Sequence, residues 1–139
     1  MLTKSAILSF LLFAVFSTNI FAGSNNMRDI EQNLLAGLTS ENEGLRLSCA
    51  YFLGEYKSES AVIPLMNALN TEDNICMRII AALSLIKIGD ERGVFLVQRT
   101  SVFDDCEVVR KISERFYLAY LLNKSNDEEV IRNLLAKTN

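Results

Sequence analysis

Three arginines, Arg46, Arg78 and Arg110, follow one another at an equal, 32-residue spacing. Other positions repeat with them. An apolar residue precedes each arginine, and an acid stands five residues before it, at Glu41, Asp73 and Asp105. A period of about 20 to 50 residues is the signature of a repeat architecture. The chain is therefore predicted to stack units that each contain the same pair of secondary structure elements.

Each unit predicts two α-helices joined by a short polar turn. Apolar residues fall at helical spacing through LRLSCAYFLGEY, and a second helix follows in SAVIPLMNALN. In the next unit we expect Gly89 to end the first helix with a positive φ and Asp90 to cap the second helix. Pro64 is expected in the first turn of its helix, where a missing N–H costs least.

The ends of the chain complete this pattern. MRDIEQNLLAGL resembles a second helix without its first, DEEVIRNLLAKTN closes the chain similarly, and no Asn-Gly or Asp-Gly turn joins alternating segments. A hairpin of this size cannot bury its apolar face alone, so neighbouring hairpins must stack. The prediction is an all-α fold, an α–α superhelix of about three and a half helical hairpins.

The segment LRLSCAYFLGEYKSESAVIPLMNAL resembles the short HEAT-like repeat also found in phycobilin lyase subunits. It shares a hydrophobe–Arg pair, small residues, Leu-Gly, a polar turn and a Val/Ile-rich second helix. The resemblance covers residues 28 to 135 and weakens in the third unit, where Glu114 replaces an alanine and four extra residues are expected between the helices. It implies a HEAT-like solenoid and, because it covers the repeat only, no chromophore chemistry.

The repeated arginines and acids are predicted to be structural. An acid at a helix start can cap the helix and favours its dipole, and an arginine one turn later can reach an acid of a neighbouring hairpin. In the family that the chain resembles, such residues form a ladder between repeats. The ladder predicted here comprises Glu41, Arg46, Asp73, Arg78, Asp105 and Arg110. The alternative is a row of anion-binding arginines.

The first 22 residues predict a secretory signal peptide. Lys4 precedes an apolar run over residues 6–16, and Ala22 fits the cleavage position. The alternative is an uncleaved membrane anchor, but a span needs about 20 apolar residues. The chain is thus expected to comprise a signal peptide over residues 1–22 and a HEAT-like repeat domain over residues 23–139, exported to a periplasmic or secreted location.

Motifs for catalysis, metals and nucleic acid are absent from the sequence. It has no histidine, which excludes Ser-His-Asp and Cys-His catalytic sets and the usual zinc sites. No phosphate-binding glycine motif occurs. Without the leader, 13 Lys and Arg face 17 Asp and Glu, and no basic cluster favours nucleic acid. We expect no enzyme activity, no cofactor, no nucleic acid partner and, after signal cleavage, no membrane association.

The three cysteines predict one buried thiol and leave one pairing open. Cys49 occupies the same small core position as Ala81 and is expected to be a buried free thiol. Cys76 and Cys106 lie near the starts of adjacent first helices, so a disulfide is conceivable. Packed helices lie about 8–10 Å apart, however, whereas a disulfide requires Cα atoms within about 7 Å.

The first helices carry apolar residues that the repeat does not require. Superposed at 32-residue offsets, these residues form a stripe of partner-binding candidates: Leu47, Tyr51, Ile79, Ile80, Leu83 and Ile112. The alternative is that they enlarge the core or are covered by a terminus. The second helices offer a mixed polar surface typical of a concave groove, comprising Asn67, Gln98, Arg99, Arg132 and Asn133.

These observations predict an exported, non-catalytic module that binds a protein partner as a scaffold or adaptor. Two other functions remain open at this point. One is a structural or self-associating repeat protein that uses the apolar stripe without a separate partner. The other is an accessory subunit of a lyase-like enzyme, which would need an acid or a thiol in a concave pocket.

Overall fold

The computed structural model describes residues 26–125 together with residues 132 and 136. Over this part the chain is helical and contains no strand, which confirms the predicted all-α class. The helices are α1 (26–37), α2 (Glu43–Glu55), α3 (Val62–Thr71), α4 (Ile75–Ile88), α5 (Glu91–Phe103) and α6 (Glu107–Lys124). The predicted signal peptide and most of the closing half hairpin lie outside the described residues.

Internal contacts divide the chain into two units, residues 1–33 and residues 34–139. In the first unit, the described residues are helical. The second unit contains the hairpins α2–α3 and α4–α5, followed by α6. Helix α4 packs against both α2 and α6, and α3 packs against α5. Packed hairpins of this kind are consistent with the predicted α–α superhelix.

The residue that precedes each first helix stands at the same position of the repeat. Asn42 and Asn74 cap α2 and α4, and each side-chain oxygen accepts a hydrogen bond from the N–H three residues later, at 3.0 Å. Cys106 holds this position before α6. There, the Asp104 carboxylate accepts a hydrogen bond from the Cys106 N–H at 2.9 Å. A side-chain oxygen thus accepts a backbone N–H at the start of each first helix, and only the residue that supplies that oxygen changes.

Two of the first helices end at a residue with a positive φ. Gly89 ends α4 with a φ of 78°, as predicted, and Lys57, at the equivalent position of the preceding repeat, has a φ of 52° although it carries a Cβ. The N–H groups of Lys57 and Ser58 donate to the carbonyls of Gly54 and Leu53, at 3.1 and 3.0 Å. This hydrogen-bond pair defines a Schellman ending, in which glycine is the preferred residue.

Three further expectations concern helix starts and lengths. Asp90 caps α5 by accepting a hydrogen bond from the Arg92 N–H at 3.0 Å, and Pro64 is the third residue of α3, both as predicted. The four extra residues of the third unit were expected between its helices. They instead lengthen the first helix, since α6 has 18 residues and α4 has 14.

Small residues allow the first helices to approach closely. The Ser84 hydroxyl of α4 donates to the Ala50 carbonyl of α2 at 2.8 Å, and both residues are buried. A Cβ added at Gly54, which is also buried, would lie 2.7 Å from the Cα of Ser84. Larger side chains at this crossing would separate α2 from α4 and open the core between them.

Replacement of Lys57 by glycine should stabilise the protein. A left-handed conformation costs a residue with a Cβ about 1–2 kcal/mol, and part of the gain is offset by the greater freedom of glycine in the unfolded chain. We expect Lys57→Gly to raise the free energy of unfolding by about 0.5–1 kcal/mol in urea titrations.

The matched control is Gly89→Ala. A Cβ at Gly89 meets no heavy atom within 4 Å, so this change tests the backbone alone. It should lower the free energy of unfolding by about 1 kcal/mol. A loss of stability in Lys57→Gly would show that the left-handed conformation at this position carries no strain.

Candidate protein-interaction surface

The arginines of the 32-residue register join neighbouring helices. Arg46 contacts Glu72 at 3.0 Å, and Arg78 forms an ion pair with Asp104. Arg78 also donates from Nε to the Leu69 carbonyl at 2.9 Å. Glu72 and Asp104 directly follow α3 and α5, and Leu69 lies near the end of α3. One guanidinium therefore connects α4 to the C-terminal ends of two second helices.

The acids of these ion pairs differ from those that the sequence pattern singled out. Glu41, Asp73 and Asp105 are exposed, whereas Glu72 and Asp104 each lie one residue before a predicted acid. Arg110 completes the series by donating to the Asp104 carbonyl oxygen at 2.6 Å. Glu72 and Asp104 themselves hold equivalent positions of the repeat, so the sequence contained the signal that identifies them.

The burial of their side chains distinguishes these ion pairs from a row of arginines that bind external anions. The side chains of Arg78 and Asp104 are only 17% and 9% exposed, and Nε and one terminal nitrogen of Arg78 donate to groups of the same chain. An external anion would have to displace a carboxylate that is already largely out of water. The geometry therefore favours a structural role for Arg78.

The apolar stripe of the first helices is divided between core and surface. Leu47, Ile79 and Ile80 are partly buried and pack against the core cluster. Leu83 and Ile112 are half-buried, and Tyr51 is 37% exposed. The alternative of an enlarged core fits the first three residues, so the stripe does not form one continuous exposed patch.

Tyr51 instead belongs to an aromatic cluster on α2. Its ring centroid lies 5.6 Å from that of Phe52, which in turn lies 6.5 Å from that of Tyr56, and all three side chains are exposed. Lys87 of α4 places its Nζ 4.5 Å from the Tyr51 ring centroid and forms an ion pair with Glu55. Hydrogen bonds, first from Lys87 and then from Tyr51, lower the pKa of the Glu55 carboxyl.

The most exposed large apolar side chains of the described residues lie on α5. They are Phe103, Phe95 and Val102, which are 75%, 65% and 59% exposed. Their helical spacing places them on one side of the helix. Arg99, also exposed, lies four residues from each phenylalanine. We call these four residues the α5 face.

Helix α3 extends the surface beside the α5 face. Asn70 lines a small open pocket of about 70 Å³ together with Arg99, Thr100, Phe103 and Asp104. Ile63 of α3 is 50% exposed and stands in register with Phe95. Both second helices thus carry an exposed apolar residue at this position of the repeat.

Only the polar part of this surface was predicted from the sequence. Asn67, Gln98, Arg99 and Arg132 are exposed, and Asn133 lies outside the described residues. The sequence feature that could have indicated the apolar part of this surface is the pair Ile63 and Phe95, which hold equivalent positions of the repeat. Both follow a core valine directly, so neither lies on the buried side of its helix.

The described residues show no metal site and three free thiols. No group of three or more His, Cys, Asp or Glu residues within this part is arranged to hold a metal ion. Cys49 is buried, as predicted, and burial raises the pKa of its thiol. Cys76 is exposed and Cys106 is half-buried.

Of the helices in the described part, none has the length and apolar character needed to cross a membrane.

Comparison with known families supports the repeat assignment. Residues 45–71 match the PBS lyase HEAT-like repeat. This segment runs from the first turn of α2 to the last residue of α3 and therefore coincides with one hairpin. No curated protein is significantly similar to the chain. The chain contains a HEAT-like repeat, and the hairpin α4–α5 repeats its geometry.

Removal of Arg78 should destabilise the protein more than removal of Arg46. Arg78→Ala leaves the Asp104 carboxylate and the Leu69 carbonyl without this donor, and we expect a loss of about 2–4 kcal/mol. Arg46 and Glu72 are each about a quarter exposed, so Arg46→Ala should cost about 1 kcal/mol or less. Urea unfolding measures both, and equal losses would contradict the structural role of Arg78.

The cysteines should differ in reactivity in the folded protein. With iodoacetamide under native conditions, Cys76 should be alkylated first because it is exposed, and Cys49 should react only on unfolding because its thiol is buried and protonated. Peptide mapping by mass spectrometry gives the order. Fewer than three alkylated thiols after unfolding without reductant would contradict the free state of the cysteines.

Proposed function

We propose that this chain is a non-catalytic protein-interaction module that binds a protein partner through the α5 face. The observation that carries the proposal is the concentration of exposed apolar area on one side of α5. The proposal includes export to a periplasmic or secreted location, for which the leader sequence is the support. The HEAT-like repeat agrees with it, because repeat proteins commonly use extended surfaces for binding.

The composition of the α5 face is that of an interface centre. Single exposed apolar residues are ordinary, whereas contiguous apolar patches mark interaction sites. Aromatic residues and arginine carry most of the binding energy in measured interfaces. Phe95, Arg99 and Phe103 supply these groups within two turns of one helix. None of them belongs to the buried core, so stability of the fold does not require their identity.

Self-association is the second candidate function, and the aromatic cluster on α2 favours it. Ser84 of α4 faces α2, and Phe52 holds the same position of the repeat. Phe52 therefore points away from α4, toward the side of α2 where another first helix would stack. Two copies of the chain that met through this face would bury Phe52 and Tyr56.

A lyase-like accessory role has less support. The named family match covers a single repeat, and such repeats occur outside the chemistry of any lyase. Ligand sites for small molecules enclose about 300–1,000 Å³. The pocket beside Arg99 is well below this range. A protein surface suits the open geometry of the α5 face better than an enclosed ligand does.

A crosslinking pull-down from the native compartment tests the proposal. The double variant Phe95→Ser/Phe103→Ser should lose partner capture because it removes the apolar anchors. Its free energy of unfolding should change by no more than about 0.5 kcal/mol, since both side chains are exposed.

The matched control is the double variant Phe52→Ser/Tyr56→Ser, which makes a comparable change on the other surface. It should retain the partner that the wild-type chain captures. Undiminished capture by the α5 variant would contradict the proposal. Light scattering of both variants distinguishes the self-association alternative, in which only the α2 variant would shift an oligomer to monomer.

A further inference from the structure

We infer that the partner presents an amphipathic helix with a carboxylate, from Asp or Glu, in the middle of its apolar side. This inference rests on the proposed function, because it specifies what the α5 face binds. It is carried by the charge of Arg99 and by the spacing of the residues around it.

The Arg99 guanidinium forms no ion pair among the described residues. Arg46, Arg78 and Arg92 form ion pairs, and Arg110 donates to a backbone carbonyl. Over the same part of the chain, no ion pair or hydrogen bond engages the Arg99 side chain, which is exposed. Its guanidinium is therefore available to a partner.

The carboxylate that lines the pocket beside Arg99, that of Asp104, is already engaged. One oxygen of Asp104 accepts from the Cys106 N–H, and the other accepts from Arg78. The Asp104 side chain is 9% exposed, so it cannot turn toward Arg99 without breaking both contacts. Asn70, which lines the same pocket, adds an amide that can donate to a second oxygen of an incoming carboxylate.

The position of Arg99 makes a neutral partner unfavourable. Phe95 and Phe103 lie four residues before and after it, which places them about 6 Å away along the helix axis on either side. A partner that covers both rings must also cover the guanidinium. Burial of an unpaired charge is strongly unfavourable, whereas a carboxylate can pair with the planar guanidinium through two hydrogen bonds.

A helix fits this surface better than an extended segment does. The backbone groups of α5 are paired within the helix, so they cannot pair with the backbone of an extended chain. A partner helix satisfies its own backbone. Its residues at intervals of four repeat about every 6 Å, the spacing of Phe95, Arg99 and Phe103. The partner is then expected to carry apolar residues four positions before and after its acid.

Designed peptides test this inference directly on the full chain. The probe is a labelled helical peptide of about 20 residues with leucines four positions either side of a glutamate, and two matched peptides replace that glutamate by glutamine or lysine. Fluorescence anisotropy should show that the glutamate peptide binds about tenfold more tightly than the glutamine peptide, with the lysine peptide weakest.

Charge reversal provides the decisive comparison. Arg99→Glu should reverse the order of the glutamate and lysine peptides, and circular dichroism should show the same helicity as the wild-type chain. Arg115→Glu makes the same charge change at an exposed arginine of α6, which is not part of the α5 face, and should leave the order unchanged.

Two results would overturn the inference and leave the proposed function standing. Equal affinities for the glutamate and glutamine peptides, both lost in Phe95→Ser/Phe103→Ser, would show apolar docking without charge recognition. Failure of all three peptides to bind, while capture of the native partner still requires Phe95 and Phe103, would overturn the helical form of the ligand. Failure of the proposed function would appear separately, as partner capture that does not depend on these phenylalanines.

Discussion

The Asp104 carboxylate is the junction on which the second half of the stack depends. It follows α5 directly, pairs with Arg78 of α4 and accepts the N–H of Cys106 at the start of α6. Its backbone carbonyl accepts from Arg110. One largely buried residue therefore joins the end of α5, the start of α6 and the side of α4. Because Phe103 is its neighbour, the same junction sets where the α5 face ends.

The packing demands of the repeat fall on the buried side of the second helices. On the buried side, equivalent positions of the repeat keep the same kind of residue, as Val62 and Val94 show, because each hairpin must pack on the next. On the exposed side the repeat imposes no such demand. Asn67 of α3 gives way there to Arg99 of α5, and Thr71 gives way to Phe103. Departures from the repeat on an exposed side are therefore the places where a binding function can be added without loss of the fold.

Sequence reasoning predicted the hairpins well and the contacts between them less well. The register of the arginines was clear, but their acids lie one residue earlier than the pattern suggested, at Glu72 and Asp104. A period fixes which residues are equivalent, whereas the reach of a side chain depends on how two helices cross. Likewise, helical spacing could not show that Ile79 packs on the core while Phe95 remains in water, since both are apolar residues on amphipathic helices.

The sequence by itself determined the all-α class, the hairpin unit, the glycine at the end of α4 and the cap of α5, because these follow from local backbone chemistry and from a repeated pattern. Only the tertiary structure decided which acids receive the arginines and which apolar residues stay exposed. It also showed that Lys57 takes a glycine conformation and that Arg99 forms no ion pair among the described residues. These outcomes depend on the distances between helices, which the spacing of the repeat does not encode.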